Sequence, residues 1–230
     1  MQLKYADQSR KEIKKRFDNF KFTTPKTSIP NILIWGEQGQ GKTHLACSIA
    51  GNGKPVYFLD SEQKGGNVVK KFNNIHYAKW CDWKDLMAAC LSLQKAEPGW
   101  VIIDSGSDFQ TWAQEDYLEE TKKDKIYPVF EWTNIFQRLD TAMGLLKEHG
   151  LIFTSRMKDE YIGDQSTGKK IPRIYNRLPY KVDLIFALEK DKLFLVKNGY
   201  HKDLSNGGQI ELDRNTSLYN LIKQINKGNK

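Results

Sequence analysis

Short apolar runs and helix-period stripes take turns along this chain. Residues 32–35 (ILIW) form a continuous apolar run, the pattern of a strand buried on both faces. Residues 55–60 (PVYFLD), 100–104 (WVIID) and 151–155 (LIFTS) repeat it, and 74–78 is a weaker member of the set. Between them lie segments with helical spacing. Residues 44–50 are the first of them, separated from the first run by eight residues. Leu86, Ala89, Cys90 and Leu93 mark a helix over 83–93, and Trp132, Ile135, Phe136, Leu139, Ala142, Met143 and Leu146 form the most regular stripe of all. Gly150 suits the end of that helix. Residues 182–188 and 193–197 read as a late strand pair. Leu218, Leu221, Ile222 and Ile225 mark a closing helix, with Asn215 or Thr216 as its cap. Residues 157–181 lack periodicity, contain Gly163, Gly168, Pro172 and Pro179, and predict a long loop. The alternation predicts an α/β fold with a mostly parallel central sheet flanked by helices, and ligands at the carboxyl ends of its strands.

Charge and composition narrow this picture. The 230 residues carry 36 basic and 28 acidic side chains, a formal charge of +8 that permits a polyanionic partner. Residues 1–21 hold seven basic side chains against Asp7, Glu12 and Asp18, and 7–20 predict a short charged helix. Residues 23–30 (TTPKTSIP) read as a linker. The chain therefore divides into a basic arm and linker over 1–30 and one domain over 31–230. No run approaches the roughly 18 apolar residues of a membrane span. The N-terminus has no apolar core of a secretory signal. Cys47, Cys81 and Cys90 fit no metal or redox spacing, which predicts a reducing cytoplasmic setting. The four histidines are scattered, so no metal cluster is expected.

The chemistry is concentrated in one octapeptide. Gly36-Glu37-Gln38-Gly39-Gln40-Gly41-Lys42-Thr43 fits the phosphate-binding pattern G-x-x-x-x-G-K-[ST], between a strand and a helix as the motif requires. Glycines let backbone N–H groups turn inward around a phosphate chain, and the helix start supplies the positive end of its dipole. Gly36 to Thr43, with His44 next to them, are the nucleotide-contact residues. Lys42 reaches the terminal phosphates, and the Thr43 hydroxyl ligates Mg²⁺. Asp104, at the end of an apolar strand, is the candidate second Mg²⁺ anchor. Glu62, just past the strand that ends at Asp60, is the candidate base toward the attacking water. The ligands so implied are Mg²⁺ and a nucleoside triphosphate, taken as ATP because no residue pattern here marks the nucleobase.

Three further segments resemble a known family. Leu59-Asp60-Ser61-Glu62 resembles the strand-end D-x-E of RecA-type recombinases, whose glutamate is the catalytic base. Ile103-Asp104-Ser105 resembles that family's Walker B strand with its trailing serine. Phe153-Thr154-Ser155-Arg156 occupies the place of a strand ending in Asn-Gln, and Arg156 departs from that pattern. Small phage nucleotide-binding proteins of the Sak-type single-strand annealing group are more similar, in length and in the order of these segments. Their later part also resembles this chain at Lys158-Asp159-Glu160-Tyr161, Thr167-Gly168-Lys169, Pro172-Arg173 and Leu178-Pro179-Tyr180. The resemblance spans roughly residues 31–190. It implies a P-loop NTPase with a RecA-like core, hydrolysing ATP, with single-stranded DNA as partner. It also implies self-association into a ring or filament, a single-strand binding protein as a further partner, and a host-cell cytoplasmic setting. In that fold the loops after the Walker B strand and the next strand line the DNA path. Here these are about 105–130, with Phe109, Trp112 and Tyr117, and 157–181, with six basic residues among Tyr161, Tyr175 and Tyr180. Arg156 or Lys158 would sense the γ-phosphate.

Three function classes therefore stand. The first is a Mg²⁺-dependent ATPase on single-stranded DNA in phage recombination or replication, by annealing or strand exchange. The second is a nucleotide-switched assembly or helicase-loading protein. The third is a P-loop small-molecule kinase with 157–181 as its lid.

Overall fold

One sheet of eight strands organises the molecule, seven running in one direction and one returning between them. The computed structural model describes residues 29–126, 130–198 and 209–227. The strands of the sheet are β1 Ile32–Gly36, β2 Val56–Asp60, β3 Ile75–Lys79, β4 Trp100–Asp104, β5 Gly150–Ser155, β8 Leu184–Glu189, β9 Lys192–Asn198 and β10 Ile210–Leu212. Between β5 and β8 in the chain come β6 Met157–Ile162 and β7 Gln165–Pro172, which stand apart from the sheet. The sheet order is β10-β9-β8-β1-β5-β4-β2-β3. β9 pairs antiparallel with both β8 and β10, and every other pair in the sheet is parallel. The apolar runs foretold this, since strands buried on both faces need no alternation. In β1, Leu33 and Trp35 pack on one side while Ile32 and Ile34 pack on the other, all at most 5% exposed. One side is covered by α3 Trp83–Leu93, α4 Gly106–Thr121 and α5 Phe130–Leu145. The other is covered by α1 Lys42–Cys47, a 3₁₀ turn Ser48–Asn52, α2 Gly66–Val69 and α7 Leu218–Lys227. A last short helix, α6 Leu178–Lys181, precedes β8.

Several expectations are corrected. Residues 105–130 are not a loop: α4 occupies Gly106–Thr121, started by the Ser105 hydroxyl accepting from the Ser107 N–H at 3.1 Å. Its Phe109, Ala113 and Tyr117, four apart, are buried, and Trp112 stacks edge-on against Trp80 at 4.2 Å. Residues 157–181 are not a loop either. β6 and β7 form a separate two-stranded hairpin, closed by a Gly163-Asp164 turn with Gly163 at φ 61°. Gly150 opens β5 instead of ending a helix. A Cβ there would lie 2.7 Å from the Trp100 ring, so only glycine lets the two strands meet. The cap of α7 is Ser217, whose Oγ accepts from the Asn220 N–H at 3.3 Å, not Asn215 or Thr216. The charged helix expected at 7–20 and nearly all of the linker lie outside the described residues.

Candidate nucleotide-binding site

The parallel strands end on one edge, and the glycine loop rises from that edge. β1 passes so close to β8 that a Cβ on Gly36 would meet the Leu188 carbonyl oxygen at 2.4 Å. Gly39 and Gly41 both sit at φ 83°, where a side chain would be strained, and Gly41 is the residue from which α1 departs. The first N–H groups of α1 have no intrahelical partner, so they point out of the helix toward whatever the loop encloses. Lys42 arches back over the loop, its Nζ donating to Gly36 O at 3.1 Å and Glu37 O at 2.7 Å. Burial pulls the Lys42 pKa down, while Asp104 and Glu62 act to raise it.

β5 lies between β1 and β4, so its end supplies the floor. Asp104 is 8% exposed, and its Oδ2 accepts from the Thr43 hydroxyl at 2.7 Å while Oδ1 accepts from the Thr154 hydroxyl. Burial raises the Asp104 pKa; the two hydroxyl bonds oppose the rise. The groups bonded directly to this buried carboxylate are neutral hydroxyls, while the cations Lys42 and Arg156 act on it only through space. Thr43 and Asp104 therefore fit a hard divalent cation: oxygen donors, already in contact, beside the phosphate loop. Among the described residues no group of three or more His, Cys, Asp or Glu is arranged to hold a metal.

Asp60 and Glu62 divide the work of their strand end. Asp60 is fully buried, and its Oδ2 accepts from the Gly65 N–H at 2.8 Å and the Tyr77 hydroxyl at 2.7 Å. Burial, with this bond, pushes the Tyr77 pKa up to about 12. Asp60 thus ties the loop after β2 to β3. Glu62 instead faces the cleft and is held by Arg156, whose Nε and Nη2 both donate to Glu62 Oε1, at 2.9 and 2.6 Å. That bond raises the Arg156 pKa further. Behind the pair, the Ser61 hydroxyl donates to Asp108 at 2.7 Å and accepts from the Ser105 N–H at 2.8 Å. The Ser107 hydroxyl accepts from the Arg156 N–H at 3.0 Å.

These groups enclose a cleft of about 270 Å³, lined by Lys42, Thr43, Glu62, Asp104, Thr154 and Arg156 together with Gln38, Gly39, Gly41 and His44. Gly36 lies buried beneath the loop, Glu37 turns toward the β6–β7 hairpin, and Gln40 faces a neighbouring cavity. Sequence reasoning missed Thr154's bond to Asp104, the Ser61–Asp108 brace, and Arg214, whose Nη2 donates to Gln40 O at 2.9 Å. The aromatic residues expected along a DNA path divide differently. Phe109, Tyr117 and Tyr175 are buried, Tyr175 with its hydroxyl on Asp140 at 3.3 Å and its pKa pushed up to about 12 by burial. Only Tyr161 and Tyr180 of that set are strongly exposed, at 61% and 86%.

A glycine loop at the carboxyl edge of a parallel sheet, with a hydroxyl and a buried carboxylate touching beneath it, defines a P-loop nucleotide-binding domain. A family model described as AAA domain matches residues 29–210, and the chain belongs to that family. Among solved structures, the crystal structure of the RadB recombinase is similar at 15% identity, over 80% of this chain and 86% of that chain, with a TM-score of 0.48. Among curated proteins nothing matches the chain. No helix of the described residues is long and apolar enough to cross a membrane.

Proposed function

We propose that the protein is a Mg²⁺-dependent ATPase with a RecA-like core that acts on single-stranded DNA, as a self-associating annealing or strand-exchange protein of phage recombination or replication. The observation that carries the ATPase is the convergence of Lys42, Thr43, Glu62, Asp104 and Arg156, from four separate chain segments, around one cleft. Thr43 and Asp104 would hold Mg²⁺, which when bound would neutralise charge on the phosphates. Lys42 would leave its own loop carbonyls for the phosphate oxygens. Glu62, once released by Arg156, would orient water and accept its proton, and Arg156 would be freed to meet the γ-phosphate.

The DNA role is supported by the chain immediately after Arg156. The β6–β7 hairpin begins at the next residue, and Arg156 O accepts from the Arg173 N–H at 2.7 Å, closing the hairpin's base. A movement of Arg156 would therefore move the hairpin. Exposed Tyr161 and Tyr180 offer stacking faces, and Lys158, Lys169 and Arg173 form no ion pair among the described residues. The phage setting and the kinship to Sak-type proteins rest on the residue pattern alone.

The test is an ATPase titration with no DNA, single-stranded DNA and double-stranded DNA, with mass measured by light scattering in each arm. Stimulation by single strands only, abolished in Lys42→Ala, supports the proposal. Turnover indifferent to DNA removes the DNA role.

One observation favours a second reading, a nucleotide-driven switch with little turnover. Arg156 engages Glu62 through two nitrogens, so the base is held away from water until something displaces it. Capture of a replication protein only in the presence of ATP, with negligible hydrolysis, would favour that reading.

A further inference from the structure

Two cavities meet at the glycine loop. On the side away from Asp104 lies a cavity of about 500 Å³ that shares Gly41 and His44 with the phosphate cleft. Leu45 and Phe72 form one apolar part of its lining, Leu188 and Leu193 another. His44 meets Phe72 edge-on at 5.2 Å between ring centroids. The polar lining is Gln40, His44, Ser48 and one segment, residues 214–217, which forms the rim.

That segment is built into place. Asp213 accepts from the Asn215 N–H at 2.9 Å and the Thr216 hydroxyl at 3.1 Å. Ser48, on the turn after α1, accepts from the Leu218 N–H at 2.8 Å, and Leu218 and Leu221 are buried beneath. Arg214 crosses to the loop itself. Its Nη2 donates to Gln40 O at 2.9 Å, and its Nη1 pairs with Asp191 Oδ1, on the β8–β9 turn, at 2.6 Å. The family match ends at residue 210, so this rim lies beyond it.

We infer that this cavity takes the nucleoside half of the nucleotide, and that Arg214 is a positioning residue that fixes the shape of the glycine loop from outside the phosphate cleft. The inference rests on the proposed nucleotide-binding function and deepens it. A nucleoside triphosphate is longer than its phosphates, and Gly41 and His44, shared by the two cavities, let the part outside the cleft enter the second one. A flat base needs apolar walls, which Phe72, Leu188 and Leu193 provide. Its edge and the ribose hydroxyls need a few placed polar groups, which Asn215, Thr216 and Ser217 provide.

The test is calorimetric titration of the full chain with ATP and with inorganic tripolyphosphate, both with Mg²⁺. The wild type is expected to bind ATP at least about tenfold more tightly, one factor of ten in affinity for the nucleoside contacts. Phe72→Ala removes a wall, and Asn215→Trp obstructs the mouth from an exposed position. Each is expected to weaken ATP at least about fivefold and leave tripolyphosphate within about twofold. Arg214→Ala is expected to weaken both ligands, because the loop loses its brace. Circular dichroism checks folding, and Asn215→Trp serves if Phe72→Ala does not fold. Equal wild-type affinity for the two ligands, or equal weakening of both in folded Phe72→Ala or Asn215→Trp, overturns the nucleoside pocket and leaves the phosphate site standing. Wild type that binds neither ligand overturns the pocket and the nucleotide-binding function together.

Discussion

The end of β5 and the hairpin just beyond it are neighbours in sequence and opposites in construction. Thr154 and Ser155 are fully buried, and their hydroxyls are committed to Asp104 and to the carbonyl of Arg156. A few residues later the hairpin exposes Tyr161 at 61% and Ile162 at 75%. The strand ends are held on both faces by packed helices, so their side chains are set before any ligand arrives, as a catalytic floor requires. The hairpin is held by its own ladder, and two isolated strands are marginal in water. On the proposed DNA role, this is the element that DNA would move. The fixed strand ends and the self-supported hairpin meet at Arg156, which carries both the Glu62 contact and the hairpin's first hydrogen bond.

The largest expected effects lie at the rigid end. Asp104→Asn and Lys42→Ala are each expected to lower ATP turnover by about 10²–10³-fold, the scale of losing one preorganised electrostatic contact. Folding should persist, because neither side chain joins the apolar layers. Steady-state hydrolysis together with a melting curve checks both. Loss of less than about threefold in either variant would break the assignment of that residue to the chemistry.

Stability separates the two regions next. Ile135, fully buried on α5, should cost about 2–5 kcal/mol on truncation to alanine. Ile162→Ala, at the hairpin tip, should stay within about 0.5 kcal/mol. Urea denaturation measures both. A large loss at Ile162 would mean that the hairpin packs against something, and the contrast would fail.

The same contrast explains what was legible in the sequence. Strands buried on both faces announce themselves as unbroken apolar runs, so β1, β2, β4 and β5 and the chemistry at their ends were readable. Glu62 and Arg156 were readable as residues but not as partners, because the pair joins two strand ends whose order in the sheet no local pattern fixes. α4 was hidden because Asp108, Glu115 and Asp116 interrupt its Phe109–Ala113–Tyr117 stripe. Two of these carboxylates are met by distant partners: Ser61 donates to Asp108, and Arg138 of α5 pairs with Asp116 as well as with Glu120. The hairpin shows no alternation because neither face is buried, and its only local signal was the Gly163-Asp164 turn. Arg214 could not be found locally, since its partner Gln40 is distant in sequence and the bond exists only once α7 has docked on the turn after α1.

The movable end should affect binding without affecting folding. Tyr161→Ala in the hairpin, and Tyr180→Ala on α6 beyond it, are each expected to weaken single-stranded DNA by about 1–3 kcal/mol, the worth of one stacked base, with an unchanged melting temperature. Fluorescence anisotropy on a labelled oligonucleotide reads the first quantity. Tyr175→Phe should leave DNA affinity unchanged, because that ring is buried and only its bond to Asp140 is lost. Equal effects at Tyr175 and Tyr161 would place the DNA elsewhere.

The smallest effect discriminates most finely, because it asks which charges of the hairpin are available. Of its lysines, Lys170 is already neutralised by Asp159 at 2.7 Å, while Lys169 forms no ion pair among the described residues. Beyond the hairpin, Lys181 is paired with Asp140 at 2.7 Å, and the Arg177 guanidinium lies over Phe136 at 4.5 Å. Counting basic residues therefore overstates the charge offered to a phosphate backbone. Each lysine that displaces a counterion from single-stranded DNA adds about 0.7 to the slope of log affinity against log salt. Lys169→Gln should flatten that slope by about this amount. Lys170→Gln should flatten it by less, because an ammonium already paired with Asp159 displaces fewer counterions from the DNA. Affinities measured across a salt series for the two variants give both numbers. Identical slopes and identical affinities would mean that the Asp159–Lys170 pair opens on binding and that the hairpin meets DNA with all its lysines free.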